Sequence, residues 1–329
     1  MKKNYFFLWH YNKLPFVYAL MNVRENETNI LVVNVQDSID LKSKILALNG
    51  LDRIDEVILV RNTFNEYLIN VLYRIFVYPF KKKSNQVAFY LDGFVGYYPL
   101  FLANIGLPNE VYFYEEGESI YQDDVLFKKE ISLSFKNLVN FFIKKVLFVK
   151  KNAIQDIKTF YVRDKTRLLK VFARNSLFKF KFNIESIDEV ESLGKISDRD
   201  KKLLISVFLS DFSCDFSLMK NEKRAIVLTQ PLYFYGIYTK QESIDMFNVY
   251  IKMLIEEGYK VYLKLHPKEK EDLYYSKGVQ RLCGDFPFEL LALLNIFFDK
   301  GVTYNSTAIN SKLIINKCLI KDELKDGQY

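Results

Sequence analysis

The sequence predicts an α/β protein of two Rossmann-like domains. Three observations carry that prediction. Apolar, β-rich runs alternate with helix-length amphipathic runs in both halves of the chain, a charge-rich stretch at 185–202 lies between the halves, and 50% of the 329 residues are hydrophobic, enough for two cores. The expected boundaries are 1–190 for the first domain and 191–329 for the second.

In the first half, strands are expected at 5–9, 29–35, 56–60, 86–91, 110–114 and 159–162, with helices at 41–48, 63–80 and 98–105. Such alternation is the signature of a parallel sheet covered on both faces. The stretch 185–202 holds Asp188, Glu189, Glu191, Asp198 and Asp200 with few large apolar residues, the composition of a linker. Beyond it the spacing predicts a strand at 224–228, a long helix at 241–257 closed by Gly258, and a strand at 259–264. A helix at 287–298 and a short strand at 302–304 follow. No internal repeat, heptad array or low-complexity tract interrupts this order.

Composition narrows the function classes. The three cysteines, Cys214, Cys283 and Cys318, are far apart and have no CxxC or Cys/His ligand spacing. Neither a disulfide framework nor a metal site is expected, and a cytoplasmic location fits. The basic start, Met1-Lys2-Lys3, leads into an apolar stretch too short for a signal or a span, and no run reaches about 18 apolar residues. Net charge is +7, with the excess concentrated at 127–184, where fifteen Lys or Arg face three Asp or Glu. That region reads as a basic amphipathic surface suited to peripheral contact with an anionic membrane or an anionic substrate, and equally as an ordinary solvated helix face. No nucleic-acid module accompanies the charge, so nucleic acid is not an expected partner. GxGxxG and GxxxxGK[ST] are both absent, which disfavours P-loop enzymes and ordinary dehydrogenases. Two Rossmann-like domains facing a central cleft then suit a GT-B-type nucleotide-sugar transferase.

Three motifs fall at expected strand ends. Glu115-Glu116-Gly117 closes a hydrophobic strand with paired carboxylates and a turn glycine. Like charges so close raise one another's pKa, which suits a carboxylate to take a proton from a hydroxyl, although the pair would serve equally to cap a helix or hold an arginine. His266-Pro267 ends the strand after Lys264, and the proline biases His266 to an extended conformation. Asn305-Ser306-Thr307 precedes a short helix, where hydroxyls and free N–H groups favour a phosphate, or simply cap the helix.

In order and spacing these motifs resemble the bacterial sialyltransferases of glycosyltransferase family 52, the lipooligosaccharide and capsule enzymes, whose three-motif plan the polysialyltransferases share. Thr229-Gln230-Pro231-Leu232 and Asp285-Phe286-Pro287-Phe288-Glu289-Leu290-Leu291 extend the resemblance. The resemblance implies a GT-B fold and CMP-sialic acid as donor substrate, with no separate cofactor and no metal. It implies inverting transfer to a terminal sugar, galactose, of a bacterial surface glycan. His266 would protonate or hydrogen-bond the leaving phosphate, and Ser306 and Thr307 would bind it. Glu115, Gly117, Gln230, Pro231, Lys264, Pro267 and Asn305 would contact substrate or nucleotide. The base would be Glu116, with Glu242 and Asp245 as alternatives. The enzyme would work as a peripheral protein at the inner face of the cytoplasmic membrane, and as a homodimer if it follows some family members. Two other readings stay open at this point: a GT-B transferase using a CDP-polyol or UDP-sugar, and a non-catalytic membrane-surface scaffold.

Overall fold

The structure is a computed structural model that describes residues 2–8, 11–24, 27–34, 39–60, 83–92, 107–115, 121, 157–174, 182–210, 222–266, 268–269, 273–275, 277–282 and 286–320. The chain separates into two compact units, 1–189 and 190–329.

In the first unit, strands β1 (Lys3–Leu8), β2 (Thr28–Asn34), β3 (Glu56–Val60), β4 (Lys83–Asp92), β5 (Leu107–Tyr114), β6 (Ile157–Val162) and β7 (Asn183–Ser186) form a sheet. Its order is β3-β2-β1-β4-β5-β6-β7, and every pairing is parallel. Aromatic and β-branched side chains fill one face, where Phe7, Phe89, Phe113 and Phe160 are buried together. Among the described residues of this unit the α-helices are α1 (Leu14–Asn22), α2 (Ile39–Ala47) and α3 (Lys165–Arg174). Nearly every side chain of α1 is buried, and so the helix carries no polar stripe to reveal it in the sequence. Pro15 fits because the first turn has N–H groups to spare. The helices expected at 63–80 and 98–105 lie outside the described residues.

Helix α3 tests part of the basic stretch. Its apolar side chains Leu168, Val171 and Phe172 are buried in the core of this unit, while Lys165 and Lys170 face water. In this helix the amphipathic pattern is thus that of a solvated helix packed on a sheet, and its apolar face is not available to a membrane.

The second unit begins where a linker was expected. Residues 185–202 instead contain α4 (Glu189–Gly194) and the start of α5 (Asp198–Phe208). The acidic residues are there because Ser197 caps α5, accepting the N–H of Asp200, and Asp198 and Asp200 lie in the first turn, where the helix dipole favours negative charge. Strands β8 (Arg224–Leu228), β9 (Lys260–Lys264), β10 (Val279–Arg281), β11 (Phe298–Thr303) and β12 (Ile314–Leu319) then form a second parallel sheet in the order β10-β9-β8-β11-β12. Helix α6 (Lys240–Glu256) crosses from β8 to β9, and Gly258 takes φ 80° just after it. The helix expected at 287–298 is a seven-residue 3-10 turn, Phe288–Leu294, stopped by Asn295 at φ 55°. Consequently β11 starts at Phe298, earlier than the pattern suggested.

Candidate active site

Parallel sheets bind ligands beyond the carboxyl ends of their strands, at the point where strand order reverses. In the second sheet that point lies between β8 and β11. The expected motifs converge on it: β8 runs into Thr229-Gln230-Pro231, β9 into Leu265-His266, and β11 into Tyr304-Asn305-Ser306-Thr307. Gln230 ties two of these ends together, its Oε1 accepting the backbone N–H of Asn305 at 2.6 Å. Below it, the Thr303 hydroxyl donates to the Leu228 carbonyl at 2.8 Å and accepts the Ser306 N–H at 3.3 Å. Gly301 has a packing reason: a Cβ there would stand 2.7 Å from Ile314 and 2.9 Å from Ile309, so glycine lets the turn after Ser306 sit directly on β11. That turn, Thr307–Asn310, is a 3-10 turn in place of the expected short α-helix, and Ser306 makes no side-chain cap bond in it.

His266 is held by a buried network that sequence reasoning did not single out. Its backbone N–H lies 3.1 Å from both Thr229 Oγ1 and Glu269 Oε2, while the Glu269 N–H donates to the His266 carbonyl at 2.8 Å. Glu269 also accepts the hydroxyls of Thr229 and Tyr274. Thr229 and Glu269 are 2% and 8% exposed. A buried carboxylate needs donors around it, and here the donors are the groups that fix the histidine turn. The signal was present in the sequence as an acid three residues after His266, together with the threonine that opens Thr229-Gln230-Pro231.

The imidazole has a defined tautomer. Nδ1 accepts the Lys268 N–H at 3.2 Å, so in neutral His266 the proton sits on Nε2, which is left as a hydrogen-bond donor. Burial, then the positive charges of Lys268 and Lys264, lower the pKa of His266 below its ordinary value. Lys264 ends β9 with its ammonium 3.8 Å from the centroid of the Phe286 ring. Burial pushes its pKa down to about 8, with Glu289 opposing the shift.

The carboxylates sort into different roles. Glu115 is 1% exposed and fully engaged: Oε2 accepts the Arg163 N–H at 2.7 Å and the Tyr121 hydroxyl, and Oε1 lies 3.1 Å from the Arg163 guanidinium and 3.9 Å from Lys13. The resemblance had placed Glu115 at substrate; the structure places it in the interior, holding β5 to the end of β6. Glu242 is exposed and closes a capping box with Thr239 at the start of α6, bonds that lower its pKa. A carboxylate so engaged and made more acidic is a helix cap and a poor base. Asp245, also exposed, accepts from Gln241 at 2.9 Å. Glu116, Gly117 and Pro267 lie outside the described residues. The structure therefore brings together Gln230, Pro231, Lys264, His266, Asn305, Ser306 and Thr307 along one sheet edge of the second unit.

Comparison with known proteins gives these strand ends a context. A family model, alpha-2,8-polysialyltransferase, matches residues 100–276, more than half of the chain. The matching model is of a polysialyltransferase family, where the motifs resemble glycosyltransferase family 52. Among solved structures, the GT-B domain of a Photobacterium damselae sialyltransferase is similar, with a TM-score of 0.52 at 13% identity over 95% of this chain and 89% of that one. The N-terminal domain of Candida albicans trehalose-6-phosphate phosphatase is similar at a TM-score of 0.40 and 10% identity, over 94% of this chain and 78% of that one. No curated protein sequence matches. The fold is thus α/β of the GT-B type.

Proposed function

Because the chain belongs to the alpha-2,8-polysialyltransferase family and is a glycosyltransferase, we propose that it moves sialic acid from CMP-sialic acid to a bacterial surface glycan by inverting, metal-independent displacement. The observation that carries the reading is the convergence of His266, the Gln230–Asn305 bond and Ser306-Thr307 at the switch point of one parallel sheet. In this reading, the Ser306 and Thr307 hydroxyls and nearby N–H groups hold the CMP phosphate, and His266 donates to it from Nε2. The acceptor hydroxyl gives its proton to Glu116 as its oxygen attacks the anomeric carbon. The bond to the phosphate oxygen breaks, and CMP leaves with the electron pair. A hydrogen-bond donor is sufficient at His266, because CMP departs as a phosphate-monoester anion that is stable in water and needs no full proton transfer.

Galactose and sialic acid are both candidate acceptor ends, and the family's name favours sialic acid. Among the described residues no helix is long and apolar enough to cross a membrane. Attachment at the inner membrane face is proposed through the basic stretch at 127–184 outside α3, and homodimer formation is part of the same proposal. The test is transfer from CMP-sialic acid to galactose-ended and sialic-acid-ended oligosaccharides. Transfer should fall by about 10²- to 10³-fold in a folded His266→Ala variant, as when an oriented donor to developing charge is removed. Unchanged transfer in that variant would refute the assigned role.

A further inference from the structure

The turn that follows Gln230-Pro231 points its large side chains into solvent. In the 3-10 turn Leu232–Tyr235, Leu232 is the buried anchor, whereas Phe234 is 62% and Tyr235 54% exposed, and Ile237 just beyond is 48% exposed. Gly236, at φ 66°, allows the chain to reverse there. Single exposed apolar residues are ordinary, but three within four positions beside a polar site mark a contact surface. The Tyr233 and Phe234 rings lie 4.6 Å apart, so the turn presents a formed aromatic surface.

One cation completes it. The Lys268 ammonium lies 5.3 Å from the Tyr235 ring centroid and 3.5 Å from its hydroxyl. The backbone N–H of the same lysine bonds His266 Nδ1, so the lysine belongs to the histidine turn itself. An aromatic face next to an ammonium in water matches a sugar ring that carries a carboxylate. The C–H face of the ring packs on the aromatic side chain, and the carboxylate pairs with the lysine. A nucleobase offers no carboxylate. A membrane lying on this turn would cover the edge where His266 must meet substrate.

We infer that Tyr235 and Lys268 form a subsite for a carboxylated sugar, either the sialyl group of the donor or the sialyl end of the acceptor. The inference rests on the function proposed above and deepens it. Calorimetric titration of the full chain tests it with CMP, a non-transferable fluorinated CMP-sialic acid and a sialic-acid-ended oligosaccharide, on wild type, Tyr235→Ala, Tyr235→Phe and Lys268→Met. Tyr235→Ala and Lys268→Met should weaken one of the two sialyl ligands about tenfold, leave CMP unchanged and leave the melting temperature unchanged. Tyr235→Phe should retain binding. The ligand that loses affinity identifies donor or acceptor as the occupant. Equal binding of both sialyl ligands in all variants, or equal loss of CMP itself, would overturn the subsite. So would association with anionic vesicles that Tyr235→Ala abolishes while sialyl binding is kept. Failure of the wild type to bind CMP at all would instead defeat the underlying donor reading.

Discussion

Gln230 reaches from the end of β8 to the end of β11, where its side-chain oxygen accepts the backbone N–H of Asn305 at 2.6 Å. The bond spans the position at which strand order reverses, and it fixes the chain immediately before Ser306 and Thr307. A side chain that satisfies a loop N–H in this way shapes a phosphate site without having to touch the phosphate.

Gln230→Ala should therefore raise the KM for the donor about fivefold, with a smaller change in kcat, because the loop loses about 1 kcal/mol of hydrogen bonding. Gln230→Glu keeps the acceptor oxygen and should recover part of the loss. Steady-state kinetics on both variants make the check, and equal damage from the two would argue against a positioning role.

The histidine turn depends on Glu269. Glu269→Ala leaves the hydroxyls of Thr229 and Tyr274 and the His266 N–H without their shared acceptor, at a cost of about 1–3 kcal/mol in stability. Glu269→Gln keeps an acceptor and should fold, yet lose activity through kcat because the turn is held less firmly. Chemical denaturation alongside kcat separates the two effects.

Activity should fall on both sides of neutrality. In its active form His266 is neutral, with Nδ1 accepting the Lys268 N–H. Protonation would put two donors face to face, so activity should be lost as pH drops through a pKa already lowered by burial, Lys268 and Lys264. Lys268→Met removes one of those charges and should move the acid limb of kcat/KM to higher pH. On the other side, Lys264 loses its charge as pH rises through about 8, weakening attraction for an anionic donor. An activity that instead increases as pH falls would show that protonated His266 is the working form.

The two neighbouring glutamates should respond oppositely. Glu115→Ala removes one of the two carboxylates that pair with the Arg163 guanidinium, Glu189 being the other, together with the ion pair of buried Lys13, and should cost about 3–5 kcal/mol of stability. Glu116→Gln should leave the melting temperature nearly unchanged and abolish most transfer. Thermal melts and transfer assays on both variants decide which of the two carboxylates acts as the base.

Much of this arrangement was legible in the sequence, for physical reasons particular to each element. Strands β8 and β9 are short apolar runs ended by Thr229-Gln230-Pro231 and by Pro267, so their ends, and with them the His266 edge, could be located. Helix α6 announced itself by its stripe and Gly258. Other elements gave no such signal. Helix α1 is buried on nearly every side and lacks periodicity, and α5 disguised its acidic first turn as a linker. The 3-10 turn Phe288–Leu294 has a helical composition but is stopped by the left-handed Asn295, which no apolar pattern reveals. The site was harder than the fold because burial decides chemistry. From sequence, Glu115, Glu116 and Glu242 look alike, whereas in the structure Glu115 is an interior ion-pair partner and Glu242 a helix cap.

The most direct test is a thermal titration of the purified chain with CMP, CDP, UDP and GDP, repeated on Ser306→Ala. A nucleotide at 100 times its dissociation constant adds about 2.7 kcal/mol of apparent stability. CMP alone should give such a stabilisation in the wild type, and Ser306→Ala should reduce it. Equal responses to UDP or GDP, or no response to any nucleotide, would contradict a CMP-phosphate site at the edge formed by β8, β9 and β11.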